Sequence, residues 1–299
     1  VSAIRRSVLR FLELCPGGKG VQIVNLGAGF DTIYFWLRED PARWRDDLVY
    51  FEVDFPEVLS KKVTAILKRQ SLWKLLDASS QEELVAKELS SAGTRELRTP
   101  HCRHVSADMR IGPELSQAMT KAGFRGNVPT LFISECVLVY MQALHGDNII
   151  EWAASSVPEA PSAMVVYEQV NPNDPFGKVM VENLMQRGCP LLSIFEYPTL
   201  HAQRLRYLQR GWERCSLADM NEVYKKYLDQ KDLERIHRLE LLDEFEEWHL
   251  IQGHYFLLVA TRAPAVAPAE EDAVATDEQH GWVHELSPMP DHSDSRPVA

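Results

Sequence analysis

The chain has 299 residues, of which 45% are hydrophobic and 25% are charged, as in ordinary globular proteins, and its formal net charge is −11. An acidic chain without a basic stripe is a poor candidate for nucleic-acid binding. No uninterrupted apolar run approaches the ~20 residues that span a bilayer. We therefore expect neither a nucleic acid nor a membrane as a partner.

The opening stretch and the cysteines predict the compartment. VSAIRRSVLRFLEL is an amphipathic helical pattern with arginines inside it and no signal-peptide cleavage site. The five cysteines are widely scattered and form no Cys-x-x-Cys pair, which favours reduced thiols and indicates no zinc site. We expect a cytoplasmic protein, monomeric and without a bound metal.

Short apolar runs between helical patterns predict a wound α/β sheet. The candidate strands are 21–26, 48–53, 102–107, 130–135, 163–169, 212–216 and 253–260. Helical patterns between the first five strands lie near 31–38, 57–68, 113–123 and 144–156, and 72–98 is a longer polar and charged insertion.

The pattern along the chain predicts one domain, 1–261, followed by a tail. Residues from about 171 to 250 are largely helical in period and predict a cap over the carboxyl edge of the sheet, where ligands of open α/β sheets bind. From Arg262 onward there are eight acids and two bases among many prolines and alanines. We therefore expect 262–299 to be a disordered acidic tail.

The first strand runs into Gly27-Ala28-Gly29, and two glycines let the backbone approach a ligand closely because neither carries a Cβ. In a dinucleotide fingerprint, a third small residue and a free helix N-terminus hold a pyrophosphate. Here Thr32 takes the third position, and the carboxylate of Asp31 would repel a phosphate. The turn therefore disfavours NAD, FAD and ATP.

Acidic residues end the next strands. A carboxylate at Asp54, after the second strand, suits the vicinal hydroxyls of a ribose, although the residue could also simply cap the following helix. Asp108 and Glu135 end the third and fourth strands, and each alone could equally be a helix cap. Glu168 ends the fifth strand and has two open interpretations, a site residue or a capping or ion-pair partner. Because these strand ends would face one crevice, they indicate an adenosine without phosphate, as in S-adenosylmethionine.

Several longer stretches resemble the protein phosphatase 2A leucine carboxyl methyltransferase family over roughly residues 1–260. The matching motifs are NLGAGFDT (25–32), YFEVDFP (50–56), ECVLVYM (135–141), YEQVNPNDPFGKVMVENL (167–184) and GWERCSLADM (211–220). The resemblance implies a Rossmann-like class I S-adenosylmethionine-dependent methyltransferase with a helical substrate cap. It also implies methyl esterification of the C-terminal leucine α-carboxylate of the phosphatase catalytic subunit, which regulates holoenzyme assembly.

The resemblance assigns roles to matching positions. Gly27 and Gly29 would line the methionine and ribose side of the cofactor, and Asp54 would bind the ribose hydroxyls. Asp108 and the backbone of Met109 would hold the adenine. Glu135 would lie near the methionine portion.

Tyr140 would contact the substrate carboxylate, the alternative being a tyrosine of the core or rim. A C-terminal carboxylate has an unperturbed pKa near ~3.5 and is already ionised at neutral pH. We therefore assign no general base, and we expect in-line positioning to supply most of the rate. An acidic site repels an anionic peptide end, so hydrogen-bond donors or cations must hold the substrate.

The chain departs from the family at its start. The family has an amino-terminal helical segment whose Lys and Arg bind the cofactor carboxylate and the substrate, and its position falls just before Val1. Arg5 and Arg6 match no motif position. We expect this form to be impaired, and two alternatives stay open: an inactive or binding-only fragment, and a tRNA-modifying relative.

Overall fold

Seven strands form the main sheet of the computed structural model, which describes residues 1–15, 17–77, 88–91, 94–239 and 244–264. The sheet order is β5-β2-β1-β6-β7-β9-β8, and a separate hairpin pairs β3 with β4. The strands are β1 Val21–Leu26, β2 Leu48–Asp54, β3 Glu88–Ser91, β4 Thr94–Leu97, β5 Cys102–Ser106, β6 Thr130–Glu135, β7 Ser162–Gln169, β8 Arg214–Asp219 and β9 Tyr255–Arg262.

Helices cover both faces of the sheet. They are α1 Ser2–Leu14, α2 Ile33–Arg38, α3 Pro56–Leu67, α4 Gln70–Trp73, α5 Gly112–Lys121, α6 Ala143–Ser155, α7 Pro175–Gln186, α8 Leu200–Leu208, α9 Met220–Lys226, α10 Gln230–Leu239 and α11 Phe245–Gly253. A 3₁₀ turn covers Leu138–Tyr140. None of the helices described is long and apolar enough to cross a membrane.

Six strands of the sheet run in the same direction, and only β9 runs against them. β1 pairs in parallel with β2 and β6, and β5 and β7 extend the parallel set on either side. β9 pairs antiparallel with β7 and with β8. The four carboxyl ends of β5, β2, β1 and β6 therefore lie side by side at one edge of the sheet.

The alternation of the central strand divides the core into two layers. All six residues of β1 are buried, as expected for a parallel strand covered on both faces. Val21 and Ile23 belong to a cluster that contains residues of α1, α2 and α3, whereas Val24 and Leu26 belong to one that contains residues of α5, α6 and α8.

The predicted wound α/β sheet is confirmed, and all seven predicted strands overlap an observed strand. In the polar insertion, 72–98, the structure places the β3–β4 hairpin, which the sequence did not predict. Residues 78–87 and 92–93 of that insertion lie outside the described residues, as do 265–299 of the predicted tail. The described chain continues β9 through Arg262, the first residue assigned to that tail.

In the stretch predicted as a helical cap, the described residues, 171–239 and 244–250, contribute to five helices and one edge strand, β8. One part of it lies close to the sheet edge described above. Leu191 and Ile194 pack on Val139 of the 3₁₀ turn, together with Met180 of α7. The stretch thus contacts the turn that carries Tyr140, and its role as a substrate cap stays a prediction.

A buried ion pair lies beneath this edge. The Glu52 carboxylate is 2.7 Å from Nζ of Lys62 and 3.1 Å from Nε2 of His104, and each of these side chains is at most 4% exposed. Burial opposes ionisation of Glu52, but the Lys62 ammonium and the His104 ring outweigh that effect and lower its pKa. The Glu52–Lys62 pair joins β2 to α3, and the contact with His104 joins β2 to β5. An isolated carboxylate would be strongly disfavoured at this buried place.

Replacing Lys62 by Met is expected to lower the free energy of unfolding by about 3–5 kcal/mol, because Glu52 is left buried without its cation. Lys61→Met, at the exposed neighbouring position, is the matched control and is expected to change it by less than about 0.5 kcal/mol. Urea unfolding of both variants measures the difference. Equal unfolding free energies would show that the pair does not stabilise the fold.

Candidate active site

Every residue that the sequence assigned to the cofactor lies at or just after the carboxyl end of β1, β2, β5 or β6. These four strands are neighbours in the sheet, so the predicted cofactor residues lie close together. In open α/β sheets this edge forms the crevice in which ligands bind.

The glycine turn after β1 is anchored to β2. The backbone N–H groups of Gly27 and Ala28 both donate to the carbonyl of Val53, at 2.8 and 3.0 Å. Gly27 and Gly29 have φ of +69° and +47°, in the left-handed region that favours glycine. This backbone path turns the chain at the end of β1.

The two glycines serve different purposes. A Cβ on Gly27 would stand 2.5 Å from Cγ2 of Val137, so the space that a side chain would need is filled by the loop after β6. A Cβ on Gly29 would meet only a backbone oxygen, Gly27 O, at 4.0 Å. Gly29 is therefore the glycine that leaves room for a ligand, and Gly27 is the glycine that lets two loops touch.

Asp31 occupies the N-terminus of α2. Its Oδ1 accepts hydrogen bonds from the backbone N–H groups of Thr32 and Ile33, and its Oδ2 accepts one from Nδ2 of Asn25 at 2.7 Å. Burial raises the pKa of Asp31, and the charge of Glu52 adds to the effect. The donors that a phosphate would use at this helix end are thus already bound to a carboxylate.

Asp54 holds the turn from β2. Its Oδ2 accepts from Gly29 N and its Oδ1 from Phe55 N, both at 2.7 Å. The alternative interpretation, a cap of the following helix, is wrong: the N-cap of α3 is Phe55, and no described side chain caps that helix. A carboxylate offers about four acceptor positions, so two remain for a ligand.

Asp108 and Met109 follow β5. The Asp108 carboxylate accepts from the Arg110 guanidinium, with Nη2 to Oδ2 at 2.7 Å, and this contact lowers its pKa. The Met109 side chain is buried, and among the residues described none accepts a hydrogen bond from its backbone N–H. Within the described part of the chain, that N–H group is therefore a donor left for a ligand at the edge of the crevice.

Glu135 ends β6. Burial and the nearby charge of Asp31 raise its pKa. Within the described part of the chain, no group donates a hydrogen bond to its carboxylate. The next residue, Cys136, has φ +53°, a conformation that is rare for a residue with a side chain. The chain turns sharply there and enters the 3₁₀ turn.

Tyr140 is the last residue of that turn, and its phenol is half-buried. Nε2 of Gln169 donates to the Tyr140 oxygen at 3.5 Å and to the Tyr255 oxygen at 3.4 Å. Tyr255 stacks on Tyr167 with ring centroids 5.2 Å apart. Because Tyr140 accepts from Gln169, its own O–H proton is free to point elsewhere.

Sequence reasoning missed Gln169 and Tyr255 as neighbours of the site. Gln169 lies in the motif 167–184, to which no site role was assigned, and Tyr255 begins the last strand outside the quoted motifs. Glu168, whose role the sequence left open, caps the turn: its Oε1 accepts from the N–H groups of Val137, Leu138 and Val139. Over the described residues, no group of histidines, cysteines and acids could hold a metal ion.

Comparison with known proteins gives a family. The model of the leucine carboxyl methyltransferase family matches residues 6–154. A leucine carboxyl methyltransferase 1 homolog of Arabidopsis thaliana is 37% identical over 259 residues, which cover 87% of this chain and 74% of that protein. The tRNA wybutosine-synthesizing protein 4 of Homo sapiens is 35% identical over 268 residues, which cover 89% of this chain and 38% of that protein.

Among solved structures, a DUF574 family protein from Streptomyces avermitilis matches with a TM-score of 0.52. The match covers 87% of this chain and 80% of that one, at 14% sequence identity. At this identity the likeness shows the fold alone. The sheet order and the antiparallel hairpin at its end are those of a Rossmann-like methyltransferase fold.

Gly27→Ala is expected to lower the free energy of unfolding by about 2–5 kcal/mol, from left-handed strain and overlap with Val137. Gly29→Ala, which adds strain without overlap, is expected to cost about 1–2 kcal/mol. In a Val137→Ala background, Gly27→Ala should lower the free energy of unfolding only as much as Gly29→Ala does. Urea unfolding measures all four variants. An unchanged cost of Gly27→Ala in that background would show that the contact with Val137 is not the reason for the glycine.

Proposed function

The chain belongs to the leucine carboxyl methyltransferase family of S-adenosylmethionine-dependent carboxyl methyltransferases, and we propose that its substrate is the C-terminal leucine of the protein phosphatase 2A catalytic subunit. The product is a methyl ester of the leucine α-carboxylate. One observation carries the proposal: a single short segment, 135–140, begins with a carboxylate to which no described group donates a hydrogen bond and ends with a half-buried phenol.

The crevice fits S-adenosylmethionine, which supplies a methyl group on a positively charged sulfur. The two remaining acceptor positions of Asp54 suit the ribose hydroxyls. The unpartnered N–H of Met109 suits an acceptor nitrogen of the adenine, and Asp108 beside it suits the exocyclic amine. Glu135 attracts the cationic methionine portion. Gly29 leaves the space in which the ribose would lie, and Gly27 keeps the turn beside it in place.

Tyr140 is proposed to hold the substrate carboxylate. Its oxygen accepts from Gln169, so its proton can be donated to an anion. Burial raises the pKa of Tyr140, which keeps the phenol protonated and a donor at neutral pH. The leucine carboxylate is already ionised, so no base needs to remove a proton from it. The chain's contribution to the rate is then to align the carboxylate oxygen with the methyl group.

One observation favours a second candidate function, modification of a tRNA. The identity to tRNA wybutosine-synthesizing proteins, 34–35%, is close to the 37% identity to leucine carboxyl methyltransferase 1 relatives. The acidic character of the chain favours the peptide substrate, because binding to a nucleic acid depends on cationic contacts with phosphates.

Binding of S-adenosylmethionine is expected to weaken as pH falls, and earlier than an ordinary glutamate would allow. The raised pKa of Glu135 means that its carboxylate takes up a proton at a higher pH and loses its attraction for the cationic cofactor. Glu135→Gln should weaken binding of S-adenosylmethionine about 10- to 100-fold near neutral pH. The affinity of this variant should then depend less on pH below neutrality. Calorimetry between about pH 5 and 8 tests both. Glu57→Gln, an exposed position, is the control. A pH profile of Glu135→Gln identical to that of the parent protein would remove Glu135 from the site.

The proposed reaction is tested by methyl transfer from labelled S-adenosylmethionine. Incubation with purified phosphatase 2A catalytic subunit should give protein-bound label that mild base releases, since the product is an ester. A subunit without its terminal leucine should take up none. Label in a tRNA fraction and none in the protein would establish the second candidate. A folded chain that binds the cofactor and labels neither substrate would be a binding-only form, against the proposal.

A further inference from the structure

Glu168 is a buried carboxylate placed directly behind the turn that carries Tyr140. It ends β7 and its side chain is fully buried. Its Oε1 accepts hydrogen bonds from three successive backbone N–H groups, those of Val137, Leu138 and Val139, at 3.2, 2.5 and 3.0 Å. One buried oxygen that accepts from three consecutive backbone donors restrains the path of the backbone, since losing it would leave those donors unsatisfied.

The turn needs such fixing, because it begins with a strained residue. Cys136 has φ +53°, a conformation that costs about 1–3 kcal/mol and persists only where the surroundings impose it. Its N–H donates to the carbonyl of Tyr167 at 2.8 Å, which holds the start of the turn to β7. Val137 is held on its other side by Gly27. Glu168 restrains the N–H groups of the turn from the inside, and Ser193 donates to the carbonyls of Leu138 and Val139.

A buried cationic side chain in the layer outside the sheet acts on Glu168 through its charge. Arg206 of α8 is 1% exposed, and its charge opposes the effect of burial, which raises the pKa of Glu168. Arg206 in turn bonds to Asp147 of α6, with Nε to Oδ1 at 2.8 Å. The charge of Arg206 offsets the effect of burial only in part, and Glu168 is fixed in position mainly by its three backbone donors.

We propose that Glu168 is a positioning residue for methyl transfer, which sets the Tyr140 phenol against the substrate carboxylate by holding the 136–140 turn in its strained path. The inference rests on the proposed function, and it goes beyond it by assigning a role to a residue that touches neither cofactor nor substrate. A capping residue that only stabilises the fold would affect unfolding and leave the action of Tyr140 unchanged.

A double-mutant cycle distinguishes the two roles. Glu168→Gln keeps the volume and a carbonyl acceptor and removes the charge. We expect it to lower kcat for a peptide ending in leucine about 10- to 100-fold, with the dissociation constant of S-adenosylmethionine unchanged within twofold. In a Tyr140→Phe background, the same substitution should lower kcat less than about twofold, since its effect passes through the phenol. Glu151→Gln, an exposed glutamate, is the control and should leave kcat unchanged in both backgrounds.

The outcomes are separable. Equal losses of kcat from Glu168→Gln in both backgrounds would make Glu168 a structural cap and overturn the inference, while leaving the reaction itself established. An unchanged kcat in Tyr140→Phe would overturn the role of Tyr140 and this inference together. Absence of turnover in the parent chain is a failure of the proposed function, seen before any variant is made. If Glu168→Gln does not fold, Glu168→Asp, which keeps the charge and shortens the reach, is used in the same cycle.

Discussion

The contact between Gly27 and Val137 joins the two halves of the site. The turn after β1 is the part of the sheet edge suited to a nucleoside, and the loop after β6 leads to Tyr140. Because residue 27 has no Cβ, the isopropyl group of Val137 fills the place of a side chain, and the two loops pack directly on each other. The distance between the proposed methyl donor and the proposed acceptor is therefore set by packing of adjacent loops of one sheet, without a hinge between domains.

The acidic side chains at this edge of the sheet and beneath it differ in how many hydrogen-bond donors or cations the protein provides for them. Asp31 is bound by a helix N-terminus, Glu52 by a lysine and a histidine, and Glu168 by three backbone N–H groups. Asp54 is half satisfied, and within the described residues Glu135 has no hydrogen-bond donor. A ligand at this edge therefore meets only part of the negative charge that these carboxylates would carry if none had a partner. The remaining negative charge suits a cofactor with a cationic sulfur. An anionic substrate, by contrast, is better held by a neutral hydrogen-bond donor such as Tyr140.

Much of the fold was readable from the sequence because it depends on local patterns. Buried parallel strands are continuous apolar runs, and a strand-end acid is visible wherever such a run stops, as at Asp54. What could not be read depends on contacts between distant segments. The three backbone donors to Glu168 lie about 30 residues away in the chain, and no sequence pattern at either place predicts these hydrogen bonds. The β3–β4 hairpin was missed because its strands are four residues long and mostly polar, so they show no hydrophobic alternation.

The most direct test of this account is a crystal structure of the chain with S-adenosylhomocysteine and a peptide that ends in leucine. We expect the ribose hydroxyls on Asp54, the adenine at the Met109 N–H, and the peptide carboxylate within hydrogen-bonding distance of the Tyr140 phenol. Nucleoside bound at the crevice with the carboxylate held elsewhere would contradict the role of Tyr140. A nucleoside bound away from the ends of β1 and β2 would contradict the site itself.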